Sequence, residues 1–93
     1  MLTIKFESKF KKELKKVTKR GKDMQKLEKV MSILANEKPL PLKYRDHVLV
    51  NSRNYKNVRE CHIEPDWLLI YRIEKGEVQI LRMIRTGTHS DLY

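Results

Sequence analysis

Leu2, Ile4 and Phe6 alternate with Thr3 and Lys5, and this period of two predicts a strand over residues 2–6. From Phe10 the period lengthens. Phe10, Leu14 and Val17 recur at helical spacing, with lysines filling the other faces. Ser8 is placed to cap this helix, and Gly21 to end it near Arg20. A second stripe, Met24, Leu27, Val30, Met31 and Leu34, follows Asp23, which can cap a second helix. Pro39 and Pro41 forbid its continuation. The two helices read as a hairpin.

Helical spacing disappears after Pro41. Residues 42–57 are mixed and turn-rich, with 47–50 either a short edge strand or part of the loop. Residues 58–63 predict a strand, and Glu64-Pro65-Asp66 a turn, because Pro65 cannot donate to a central ladder. Residues 67–73 are the most hydrophobic stretch and predict the central strand. Glu74-Lys75-Gly76-Glu77 reads as a hairpin turn and 78–85 as the next strand, before a turn and a short tail to Tyr93. The expected fold is α+β, in one domain over 1–93. An N-terminal strand and a helical hairpin pack on one face of a mainly antiparallel sheet of about four strands, leaving the other face partly open.

Composition narrows the setting. No apolar run approaches the roughly 20 residues of a membrane span, so no membrane association is expected. A single cysteine, Cys61, excludes an internal disulfide and suits a reducing cytoplasm. No Cys/His cluster has zinc spacing, and no metal or cofactor is expected. The net charge of +9 is uneven. Residues 1–46 carry 14 Lys/Arg against 6 Asp/Glu, whereas 47–93 carry 7 against 6. A polycationic half of this kind is the electrostatic footprint of a nucleic-acid partner, or simply a solvated helix surface. Its exposed candidates are Lys11, Lys12, Lys15, Lys16 and Lys19, left over by the stripe of Phe10, Leu14 and Val17.

All three histidines fall in the less charged half, at His47, His62 and His89. Histidine exchanges protons near neutral pH. With Asp66 and Arg85 in a basic domain, they suggest acid–base chemistry on a phosphate backbone. Each also has a plainer reading: His47 as loop surface, His62 as a half-buried strand residue, Asp66 as a turn residue, Arg85 as a strand-end salt bridge sharing parity with Leu81 and Met83, and His89 as part of a loose tail. Cys61 points away from His62 by strand alternation, so a Cys–His nucleophile pair is not expected.

Longer strings carry a family resemblance. Leu40-Pro41-Leu42, Tyr44-Arg45-Asp46-His47, the run His62-Ile63-Glu64-Pro65-Asp66-Trp67-Leu68-Leu69-Ile70-Tyr71, and Arg85-Thr86-Gly87-Thr88-His89-Ser90-Asp91-Leu92-Tyr93 resemble the RelE/ParE superfamily of bacterial toxins, closest to the YafQ-type messenger-RNA interferases. Residues 48–57 depart from that pattern, which has a more glycine-rich turn. The resemblance implies a RelE-like fold and an endoribonuclease that cuts messages in the ribosomal decoding site by metal-free attack of the 2′-OH. It implies His47, His62, Asp66 and His89 as the proton-transfer set, with His89 as general acid. Arg85 is then the phosphate clamp, Tyr93 an aromatic beside the site that stacks on a base, and the five lysines the contact to the ribosome. The implied partners are a cognate antitoxin, the ribosome and its message and, through the toxin–antitoxin complex, operator DNA. Two alternatives stand beside this reading. One is a ParE-like relative that poisons gyrase, against which the proton-transfer set argues. The other is a basic module that binds nucleic acid without cutting it.

Overall fold

A computed structural model describes residues 1–49 and 57–93. The chain runs through strand β1 (Thr3–Phe6), helix α1 (Ser8–Lys19), helix α2 (Met24–Ala35), a 3-10 turn (Leu42–Tyr44), strands β2 (His47–Val48), β3 (Arg59–Glu64), β4 (Trp67–Lys75) and β5 (Gln79–Gly87), and a last helical turn α3 (His89–Leu92). The turn expected at Asn51-Ser52-Arg53-Asn54, and Val50, lie outside the described residues.

Among the described residues the strands form one five-stranded sheet in the order β1-β5-β4-β3-β2. β1 joins as an edge strand, parallel to β5 from Thr3↔Ile80 to Phe6↔Met83, and the other pairs are antiparallel. The α+β architecture is therefore as expected, with five strands instead of about four. The N-terminal strand lies in the sheet, and the helical hairpin packs on one face of it, with Tyr44 of the 3-10 turn in the same core. The hairpin carries the chain from one edge, β1, to the other, β2.

Local chemistry explains the helix ends with one correction. Asp23 caps α2 as expected, its Oδ1 accepting from Gln25 N at 2.9 Å. Ser8 does not cap α1. It is the first helical residue, and Glu7 holds the cap position with no side-chain bond. Gly21, at φ 87, takes the left-handed turn after α1.

Phe10 and Val17 of α1, and Leu27, Val30 and Leu34 of α2, are buried against Cys61, Leu69, Tyr71, Leu81 and Met83 of the sheet. A smaller apolar cluster is separate from this core. Val58, Ile70 and Ile84 pack there with Leu49 and Leu92, so α3 is pinned through Leu92. A register shift between Ile70 and Tyr71 sets Ile70 opposite Arg85 but Tyr71 opposite Met83. Ile84 is the extra residue. The bulge breaks the alternation that would have kept Arg85 in phase with Leu81 and Met83. Among the described residues, no helix is long and apolar enough to cross a membrane.

Candidate active site

His47, His62 and His89 lie far apart in sequence and meet in space. The ring centroids of His47 and His62 are 6.4 Å apart, and those of His62 and His89 are 5.8 Å apart. Tyr93 extends the row, 6.5 Å from His89. Pairing of β2 with β3 sets His47 opposite Glu60, two residues before His62 on the same strand face. The β5–α3 connection then brings His89 alongside.

The segment before His47 is anchored from the core. Asp46 accepts a hydrogen bond from the buried Tyr71 hydroxyl at 2.5 Å and is held by the Arg59 guanidinium at 3.0 Å. Burial first, and then this bond to Asp46, push the Tyr71 phenol well above its ordinary range. Arg45 adopts the left-handed conformation, φ 49, and its carbonyl oxygen accepts from His47 Nδ1 at 2.7 Å.

Each imidazole is oriented in the same sense. His62 Nδ1 lies 3.3 Å from the Pro65 carbonyl oxygen, and His89 Nδ1 lies 2.6 Å from Asp66 Oδ1. Carbonyl and carboxylate oxygens only accept, so the proton sits on Nδ1. In all three rings Nε2 is then the nitrogen that carries the free lone pair.

Asp66 also accepts from the His89 backbone N–H, at 2.9 Å. These two bonds, the backbone one foremost, hold its carboxyl below the usual carboxylate range. Asp66 is thus an ionised orienter of His89.

Sequence reasoning missed Glu60 as a site residue. Its carboxylate is buried, 3.6 Å from His47 Nε2 and 3.9 Å from His62 Nε2, and it accepts from the Tyr93 hydroxyl. The available signal was its i, i+2 relation to His62. The expected stacking aromatic, Tyr93, is two-thirds exposed and is tethered through this hydroxyl.

Arg85 sits in a different environment. Its Nε and Nη2 grip both oxygens of Glu13 on α1, the shortest contact being 2.6 Å, and the two side chains are only 13% and 12% exposed. The strand-end salt bridge exists, and any phosphate must be met by a guanidinium already engaged. Lys11, Lys12, Lys15, Lys16 and Lys19 are all exposed on α1. Lys12 and Lys16, joined by Lys9, border a cleft of about 270 Å³ over Glu13 and Arg85.

Cys61 is buried in the main core, facing away from His62 as expected, and burial pushes its thiol up to about 12. Among the described residues, no group of three or more His, Cys, Asp or Glu side chains is arranged to hold a metal ion.

Comparison with known proteins gives the family. Residues 2–93 match the family of bacterial toxins of type II toxin–antitoxin systems named YafQ. The chain is 44% identical over 91 residues to the mRNA interferase toxin YafQ of Escherichia coli strain B / BL21-DE3, covering 97% of this chain and 94% of that protein. A metal-bound toxin from Helicobacter pylori superposes with a TM-score of 0.90 at 46% identity, over the full length of both chains. YafQ in the E. coli DinJ–YafQ complex superposes at 0.85 with 42% identity, over 100% of this chain and 99% of that one. This chain, with its convergent histidines at the end of a RelE-like sheet, belongs to the YafQ family of type II toxins.

Proposed function

We propose that this protein is an endoribonuclease toxin that cleaves messenger RNA on the ribosome and is neutralised by a cognate antitoxin. Family membership supplies the class: an mRNA interferase held in check by an antitoxin partner. The observation that carries the mechanism is the row of three imidazoles, each with Nδ1 engaged by an oxygen acceptor, and with the Glu60 carboxylate near Nε2 of His47 and His62.

The reaction balances without a metal. The 2′-oxygen forms a bond to the adjacent phosphorus as the P–O5′ bond breaks, leaving a 2′,3′-cyclic phosphate and a 5′-OH. One group accepts the 2′-OH proton, and another returns a proton to the 5′-oxygen. His47 and His62 are placed for the first task and His89, oriented by Asp66, for the second. Arg85 offsets charge on the phosphate by sharing its donors with Glu13. Tyr93 offers its exposed ring to a base. The lysines of α1 anchor the ribosome through phosphates, and the protein acts in the bacterial cytoplasm, where messages are translated. With its antitoxin it binds operator DNA.

The test is to incubate translating ribosomes with the protein and map message ends. Cleavage that persists in chelator, gives 5′-OH ends and fails on a message with a 2′-deoxy residue at the cut site is expected. Ends bearing 5′-phosphate, or cutting of the deoxy message, would overturn the mechanism. Replacing Lys12, Lys15 and Lys16 with glutamine should flatten the salt dependence of ribosome binding. An unchanged salt slope would remove α1 as the anchor.

A further inference from the structure

His62 is a shared wall. One side belongs to the histidine row, and the other lines a cleft of about 530 Å³ between α2, the 3-10 turn and the end of β3. That volume is in the range, roughly 300–1,000 Å³, of sites that hold a small-molecule-sized group.

The cleft is strongly cationic. α2 supplies Lys26 and Lys29, which are neighbours at i, i+3, and the turn supplies Lys43 and Arg45. Among the described lining residues Glu64 is the one carboxylate, and it is already paired twice, with Lys22 at 2.9 Å and Lys26 at 2.7 Å. Lys29, Lys43 and Arg45 have no carboxylate partner among the described residues. Lys43 lies instead over the Tyr44 ring, 5.1 Å from its centroid. Arg45 holds a left-handed backbone, φ 49 and ψ 42, which a side chain rarely adopts and glycine adopts freely. The backbone thus sets Arg45, an exposed two-donor cation, among the residues lining this positive cleft, one residue from Asp46 and two from His47.

Resting on the endoribonuclease reading, we propose that this cleft binds the phosphate next to the scissile one in the message. Arg45 serves as its two-donor ligand, and Lys29 and Lys43 act as point charges. A strand whose scissile phosphate lies among the histidines must continue past one flank of the row. His62, the middle ring, borders both the row and this cleft, so a strand that leaves the row across it puts its next phosphate in the cleft. Contiguity with the histidine row favours RNA over an acidic segment of the antitoxin, which needs no such continuity.

The experiment uses the full chain with ribosomes carrying a message made uncleavable by one 2′-deoxy residue at the cut site. Binding is measured for wild type, Arg45→Gly and Lys29→Gln/Lys43→Gln. Messages carry either a normal phosphate or a neutral methylphosphonate at each flanking position. Glycine keeps the left-handed backbone and the carbonyl that orients His47, and a thermal melt checks that the fold survives. Arg45→Gly should weaken binding about tenfold or more, as expected for a charge-assisted contact. The methylphosphonate at one flank should weaken wild type similarly and Arg45→Gly no further. The lysine pair should lower the salt slope by about 0.7 per charge removed.

Additive effects of the two changes, or a variant that binds messages normally but escapes its antitoxin, would overturn the cleft assignment. A wild type that cuts messages while showing additivity leaves the ribonuclease reading standing without the cleft. A wild type that binds with the expected non-additivity but never cuts leaves the cleft and removes the reaction. A wild type that does neither overturns both.

Discussion

A single carboxylate oxygen, Asp66 Oδ1, receives both the ring Nδ1 and the backbone N–H of His89, at 2.6 and 2.9 Å. The two residues are 23 positions apart. The double contact fixes the rotation of the ring and the first turn of α3 together, and leaves Nε2 as the ring nitrogen that Asp66 does not hold. An acid that must meet one leaving oxygen needs that orientation in place before the substrate arrives.

His89→Ala should lower cleavage by about 10²–10⁴-fold with little effect on the fold, since the ring is largely exposed. Asp66→Asn should lose less, because the amide oxygen still accepts one bond but no longer favours a charged imidazole. The depressed Asp66 carboxyl adds a pH signature. Its contact with His89 is present above the ordinary carboxylate range and is lost as pH falls through the lower folded value. Cleavage by wild type measured down to mildly acidic pH should show no loss from Asp66 protonation. A His89→Ala protein that cuts messages at the wild-type rate would reject the assignment.

Arg85→Ala should destabilise the protein strongly. It leaves the Glu13 carboxylate buried without its cation, a loss of about 3–5 kcal/mol. For a chain of this size the melting temperature should fall by more than about 10 °C. The double variant Glu13→Leu/Arg85→Met should recover most of that stability while remaining poor at cleavage. An Arg85→Ala melt within a degree or two of wild type would show the pair to be dispensable for the fold.

Gly87 and Asp91 set the position of α3. Asp91 receives Arg20 Nη1 at 2.6 Å and the Thr88 N–H at 2.9 Å, and the Thr88 side chain completes a reciprocal cap. Arg20 foremost, then the Thr88 N–H, holds the Asp91 carboxyl far below the usual range. A Cβ on Gly87 would come within 2.9 Å of Asp91 Cβ and Oδ2. Gly87→Ala should therefore displace His89 and reduce kcat more than it lowers stability. Arg20→Ala should destabilise at neutral pH. Because the folded Asp91 value is depressed, that difference should shrink as the solution is acidified through it. A pH-independent gap between the two melts would deny Asp91 this role.

Cys61 should be inert in the native protein. Its thiol stays protonated at neutral pH, and the side chain is buried, whereas nucleophilic attack needs an accessible thiolate. Thiol reagents should label it only on unfolding, with labelling rates following denaturant. Rapid labelling of the native protein at neutral pH would contradict this burial.

Periodicity alone determined most of the architecture. The alternation of Leu2, Ile4 and Phe6, the stripes on α1 and α2, and the apolar run from Trp67 are local signals, because a side chain's burial is dictated by the period of its own element. The motif strings likewise singled out His47, His62, Asp66 and His89. Sequence could not show which groups touch. Glu60 is an ordinary strand glutamate until β2 pairing puts His47 opposite it and Tyr93 returns to its carboxylate. Arg85 appeared in phase with Leu81 and Met83 until the Ile84 bulge changed the strand's phase and Glu13, 72 residues earlier, closed on it. The edge place of β1 beside β5 depends equally on a pairing between the two ends of the chain. Such contacts join residues with no local relation, and only the path of the backbone in three dimensions selects among them.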